Sequence, residues 1–138
     1  LIHSRKIMIE YRHNFPLDPK DVVRVFDSSG ITRPTKDLPR IARMFAESNL
    51  VISAWAESEL VGVCRALTDY SYCCYLSDLA IAQDFQRHGI GSHLIQQVRE
   101  AIGEEVSLIL VSNPNAVSYY PTVGFTKAET GYIIKRVR

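Results

Sequence analysis

Leu79-Ala80-Ile81-Ala82-Gln83-Asp84-Phe85-Gln86-Arg87-His88-Gly89-Ile90-Gly91-Ser92-His93-Leu94-Ile95 changes its apolar spacing midway, from strand to helix. Up to Ile81 it is apolar and reads as the end of a strand. From Ile90 the apolar spacing changes. Ile90, Leu94, Ile95, Val98, Ala101 and Ile102 share one helical face, with Ser92, His93, Gln96, Gln97, Arg99 and Glu100 opposite, and Gly103 follows as a stop. The loop between carries Gly89 and Gly91, the basic residues Arg87 and His88, and one acid, Asp84. A helix start leaves N–H groups without intrahelical acceptors and bears partial positive charge, so it suits an anion, and glycine lets the backbone approach one closely. The spacing is neither that of a P-loop nor that of a dinucleotide-binding Gly-x-Gly-x-x-Gly. On the glycines alone, a plain strand-to-helix turn explains the loop equally well.

Downstream, 106–111 is a nearly continuous apolar run after a strand and a helix, which predicts a strand buried on both faces and paired in parallel across a crossover. Upstream, Leu50–Ala56 and 60–67 flank Glu57-Ser58-Glu59 and read as an antiparallel hairpin, and Asp69-Tyr70-Ser71 turns the chain into a third strand over 72–81. Two helices precede them. One starts at Asp18-Pro19-Lys20-Asp21 and stops at Ser28-Ser29-Gly30; the other is led by Thr35 or Asp37 and carries Ile41, Met44 and Phe45. A short strand over 7–12 comes first. Downstream, Asn113-Pro114-Asn115 predicts the cap of a short helix bearing Ala116, Val117, Tyr119 and Tyr120, and Gly124-Phe125 with 132–137 a closing hairpin. These elements make a mixed α+β sheet, mostly antiparallel, flanked by about four helices.

At 138 residues the whole chain, 1–138, reads as one domain, with 1–7 a remnant or an N-terminal extension. The formal charge of +1, with basic residues scattered, gives no basis for nucleic acid or an anionic membrane as partner. No apolar run nears the ~20 residues of a spanning helix, and no secretory signal pattern is present. Cys64, Cys73 and Cys74 are odd in number and poorly placed for a disulfide framework, which points to a reducing cytoplasm. No metal-ligand spacing appears, so no metal is expected.

Gln86-x-x-Gly89-x-Gly91 after a strand, followed by an amphipathic helix and an apolar strand, resembles the signature of the GCN5-related N-acetyltransferase (GNAT) superfamily: Gln or Arg, two residues, Gly, one residue, then Gly or Ala. Leu79-Ala80-Ile81-Ala82 is similar to the family's preceding Leu-x-Val segment. Asn113-x-x-Ala116-x-x-x-Tyr120-x-x-x-Gly124-Phe125 is similar to its second block. The resemblance runs from about Leu50 to the C-terminus and covers the two N-terminal helices in outline. It implies a parallel strand pair splayed at the acyl-CoA site, with acetyl-CoA as cosubstrate and no metal.

Under that resemblance the strand backbone at Leu79 and Ile81 pairs with the pantetheine arm, with Ala80 among the coenzyme-binding residues, while Gln86, Arg87, His88, Gly89, Ile90, Gly91 and Ser92 surround the pyrophosphate. Asn113 reaches the arm from the far side, and Ala116 and Tyr119 join the coenzyme contacts. Tyr119 also reads as core, since it faces away from Tyr120. Tyr120 matches the family tyrosine that returns a proton to the departing thiolate. Asp78, an acid in an apolar strand, is the candidate base, a desolvated carboxylate of raised pKa; a structural acid held by hydrogen bonds is the competing reading. The acceptor pocket is expected around Gly30-Ile31-Thr32-Arg33-Pro34, Arg65, Tyr70, Tyr72 and Tyr75. There Arg33 is either a contact for an acidic acceptor or a solvated loop residue.

The function expected is transfer of an acetyl group from acetyl-CoA to a primary amine of a small molecule or protein, by a cytoplasmic monomer or homodimer. The alternative is a non-catalytic acyl-CoA sensor or interaction domain of the same fold. A phosphotransfer domain is disfavoured by the absence of a Walker lysine.

Overall fold

Five strands form one mixed sheet in a computed structural model that describes residues 7–138. In chain order the elements are β1 (Ile9–His13), α1 (Pro19–Ser29), α2 (Leu38–Ala46), β2 (Leu50–Ala56), β3 (Glu59–Thr68), β4 (Cys73–Ile81), α3 (Ile90–Ile102) and β5 (Ser107–Ile109). The strands lie side by side in that order. β1 to β4 pair antiparallel and β5 runs parallel to β4, reached through α3 as crossover. Most of the reading of 1–7 as a remnant or extension falls outside the described residues.

The first two helices begin where side chains satisfy their first N–H groups. Asp18 accepts from the Lys20 N–H at 2.9 Å ahead of Pro19, and Asp37 from the Arg40 N–H at 3.1 Å ahead of Leu38. Successive β2 residues alternate between faces and all seven are buried, because helices cover both sides there. Leu50, Ile52 and Ala54 pack with Leu94, Ile95 and Val98 of α3; Val51 and Trp55 pack with Val22, Phe26 and Ile41 of α1 and α2. Each fully buried side chain of this size contributes about 1.5–3 kcal/mol.

A bulge in β4 sets up the site. Leu76 pairs with Ala66 and Asp78 with Arg65, so Ser77 is the extra residue and the strand changes phase there. Cys74 and Leu76 therefore face α3, whereas Asp78 and Ala80 face α1 and α2. The turn into β4 is held by Asp69, whose carboxylate accepts from the N–H groups of Ser71, Tyr72 and Cys73 at 2.9, 2.8 and 3.1 Å. Those donors bring the Asp69 pKa down to about 2.

Three expectations need correction. β5 is not covered on both faces: Leu108 packs toward α3, while Ser107 and Ile109 on the other face are exposed, Ile109 by 49%. The doubly covered strand is β2. The helix expected after Asn113 is replaced by two 3₁₀ turns, Pro114–Ala116 and Tyr120–Val123, leaving three α-helices among the described residues; Pro121 has no N–H and obstructs a longer helix. The closing hairpin is not formed either. Residues 126–138 carry no strand, and Tyr132 and Ile134 are each 99% exposed. Adjacent apolar residues at 132–134 would point to opposite sides of a strand, and neither side meets the core. None of the helices among the described residues is long and apolar enough to cross a membrane.

Candidate active site

β4 and β5 pair only through Cys73, Cys74 and Tyr75 with Ser107, Leu108 and Ile109. Beyond Tyr75, β4 continues to Ile81 with β3 as its ladder partner, so its other edge has no strand paired to it there. The expected splayed parallel pair is this separation. Along it, Leu79 and Ile81 are half-buried toward α3, and Ala80 is buried on the opposite face.

At the end of that edge the loop turns into α3. Gln86 donates from Nε2 to the Ile81 carbonyl at 2.9 Å, so its side chain ties the loop back onto the strand. Arg87 takes a left-handed backbone at φ 65°, with Arg87 and His88 exposed, and Gly89 caps α3 at φ 82°. The helical ladder begins with the His93 N–H on the Gly89 carbonyl at 3.0 Å, which leaves the amides of Ile90, Gly91 and Ser92 without intrahelical acceptors. The Ile90 side chain is buried in the core, and Ser92 is exposed. A Cβ built on Gly91 would lie 3.2 Å from the Tyr119 hydroxyl and 3.9 Å from the side chains of Ile81 and Leu79. Strand edge, helix start and Tyr119 thus converge on one point. This fits an elongated ligand with an anionic head: main-chain groups for the body, free amides for the charge.

From the far side, the Asn113 carboxamide accepts from the Asn115 N–H at 3.0 Å and begins the first 3₁₀ turn, with Ala116 half-buried. The Tyr120 ring stacks edge-on against Tyr119 at 5.2 Å and Phe125 at 5.5 Å. Burial pushes the Tyr120 hydroxyl pKa up; Tyr119 and Cys64 act in the same direction, while Arg33 opposes them. Tyr120 therefore stays protonated at neutral pH and feels groups from both sides of the sheet.

Asp78, read either as a base or as a structural acid held by hydrogen bonds, lies between two arginines. Its side chain is fully enclosed, Arg33 donates from Nε to Oδ1 at 2.5 Å, and Arg65, its partner across the β3–β4 ladder, donates from Nε to Oδ2. Arg65 also reaches Ser48 Oγ at 3.1 Å and Ser77 Oγ at 2.8 Å. Arg33 is therefore anchored through Nε, Nη1 and Nη2 while its side chain stays partly exposed. Arg65 and Asp78 face each other in otherwise apolar strands, a signal legible in the sequence once the register is known; the reach of Arg33 from the α1–α2 segment is not. Of the other acceptor-pocket residues, Tyr70, Tyr72 and Tyr75 are exposed. Cys64, Cys73 and Cys74 are free thiols.

The family model described as "Acetyltransferase (GNAT) domain" matches residues 23–135. An uncharacterized N-acetyltransferase, ycf52, of Pyropia yezoensis is 35% identical over 121 residues, covering 80% of this chain and 66% of its own length, so the chain spans just under two thirds of that relative. Among solved structures, a probable acetyltransferase of meticillin-resistant Staphylococcus aureus superposes with a TM-score of 0.79 at 19% identity, over 94% of this chain and all of its own. The aminoglycoside N-acetyltransferase AAC(6')-Iy in complex with CoA superposes with a TM-score of 0.70 at 14% identity, over 97% and 98%. At those identities the structural likeness speaks for the fold.

Proposed function

Since the chain belongs to the acetyltransferase (GNAT) family, we propose that it is an N-acetyltransferase that moves an acetyl group from acetyl-CoA to a primary amine of a small molecule or protein by direct attack. The observation that carries this reading is the continuity of the open β4 edge at 76–81 with the free amides at the start of α3. The CoA held by a neighbour of the same fold supports it. In this reading the main chain at Leu79 and Ile81, on either side of Ala80, binds the pantetheine arm, and Gly89, Ile90, Gly91 and Ser92 receive the pyrophosphate, with Arg87 and His88 adding positive potential. Gln86 holds the loop in place. Asn113, Ala116 and Tyr119 close the far side.

The neutral amine nitrogen forms its bond to the thioester carbonyl carbon and sheds one proton as the C–S bond breaks; the sulfur takes a proton, and the one shed by the nitrogen restores the donor. Tyr120, kept protonated by burial, donates the proton that the sulfur takes. A strand N–H near Leu79 or Ile81 meets the developing oxyanion. The ammonium proton must leave before attack. Asp78 is enclosed and each of its oxygens already accepts from an arginine, so its geometry favours holding Arg33 and Arg65 in place. That commitment of Asp78 also gives the second reading its one supporting observation: a sensor that binds acyl-CoA without turnover.

Thiol release from acetyl-CoA over a panel of amines tests the proposal. Turnover that falls in Tyr120→Phe supports the enzyme. Tight CoA binding with no turnover on any amine supports the sensor, and no CoA binding by folded protein removes both.

A further inference from the structure

The side chains around Asp78 narrow the acceptor, on the premise of the acyltransferase reading above. Two guanidinium groups converge on one carboxylate, so the cluster holds one positive charge more than it neutralises. The two arginines differ in what else engages them. Arg65 is buried, and its remaining nitrogens meet Ser48, Met44 and Ser77. Arg33 gives Nη1 to the Thr32 carbonyl at 2.6 Å and Nη2 to the Ser77 carbonyl at 2.7 Å, and its side chain remains 25% exposed. Each of those nitrogens bears two N–H bonds, so donors are left over. The surplus charge therefore opens to solvent at Arg33.

The position matters as much as the charge. Arg33 sits on the carbonyl of Ser77, the bulged residue of β4, immediately before the open edge at Asp78-Leu79-Ala80-Ile81. Its field also reaches the Tyr120 hydroxyl. A fixed guanidinium with spare donors is matched to a carboxylate, which it can bind through two N–H groups at once. Asp78 does not repel such a group, because two arginines already over-compensate its charge. A second ammonium on the acceptor would instead meet uncompensated positive charge.

We propose that Arg33 binds a carboxylate carried by the acceptor, so that the preferred substrates are amino-carboxylates, such as an amino acid, rather than simple amines or polyamines. The test uses matched pairs differing only in the carboxylate: lysine against cadaverine, and β-alanine against ethylamine, at one pH with saturating acetyl-CoA. The expected result is a kcat/KM about 10–100-fold higher for the carboxylated member, the size of a charge-assisted contact, and a ratio that falls toward unity in Arg33→Gln, mainly through KM. Arg33→Lys should retain part of the preference. Equal rates within each pair, preference for the amine lacking the carboxylate, or an unchanged ratio in both variants would overturn it. Acetyl-CoA affinity, measured by calorimetry in each variant, reports separately on the acyltransferase reading. If turnover is absent, the carboxylate site is scored by unfolding temperature. The carboxylated member should raise it more than its twin in wild type and not in Arg33→Gln; no such difference counts against the site.

Discussion

Arg33 and Asp78, 45 residues apart in the chain, form an ion pair at 2.5 Å that joins the segment between α1 and α2 to β4. The contact exists because Ser77 is bulged. Without that extra residue Asp78 would share the α3 face with Leu76, in an apolar core that offers no cation.

Removing the anion from this cluster should be costly. Asp78→Asn leaves Arg65 buried with no charge partner, and breaking one side of a buried pair costs about 3–5 kcal/mol. Urea unfolding should show a lowered midpoint. Simultaneous replacement of Arg65 by Met should recover part of the loss, because it removes the stranded charge. A variant as stable as wild type would show that the cluster does not hold the fold.

Tyr120→Phe should lower kcat by about 10–100-fold, at the low end of the general-acid range because a thiolate departs moderately well unaided. Calorimetry should find acetyl-CoA affinity nearly unchanged, since the ring and its contacts with Tyr119 and Phe125 remain. Unaltered turnover would take the proton-donor role away from Tyr120.

The two loop glycines should respond differently. Gly89 sits at φ 82°, where a side chain is strained, so Gly89→Ala should cost about 1 kcal/mol and weaken coenzyme binding. At Gly91 the backbone is ordinary, and an added Cβ would only press the Tyr119 hydroxyl at 3.2 Å. Gly91→Ala should therefore be nearly as stable as wild type, and its effect on acetyl-CoA affinity should shrink in a Tyr119→Phe background. Thermal unfolding with calorimetric titration separates the two.

Much of this architecture was legible in the residues because the signals are local. Asp18-Pro19, Gly30 and Gly103 bound their helices as read, and the change of spacing at Ile90 marks the start of α3. What escaped is set by long-range partners. Cys74, Leu76, Asp78 and Ala80 alternate without a break, so nothing local reveals that the strand changes face at Ser77. The run 106–111 is apolar enough to be covered on both sides, yet coverage of the second face depends on a packed layer that the described residues do not supply. Pairing of Arg33 with Asp78 likewise depends on how α1 and α2 lie over the sheet.

Stability should fall at both ends of the pH scale, for different reasons. Asp69 has its pKa held at about 2 by three N–H groups, below its ordinary 3.8. Its contribution is present above pH ~4 and is lost as pH falls through the folded value, so acid should loosen the β3–β4 turn first. At the other end, burial raises Cys64, Cys74, Tyr11, Tyr119 and Tyr120 above ordinary values of 9.0 and 10.0. These groups keep their protons in the folded chain at pH values where the unfolded chain has already lost them, so their contribution is intact below pH ~9 and declines as pH rises further. Each such group steepens the decline by up to about 1.4 kcal/mol per pH unit. Urea midpoints measured from acid to alkali should trace a plateau with two falling limbs. Cys64→Ala should soften only the alkaline limb, and Asp69→Asn should flatten only the acid one. An alkaline limb unchanged by Cys64→Ala would mean that this thiol ionises alike in the folded and unfolded chain.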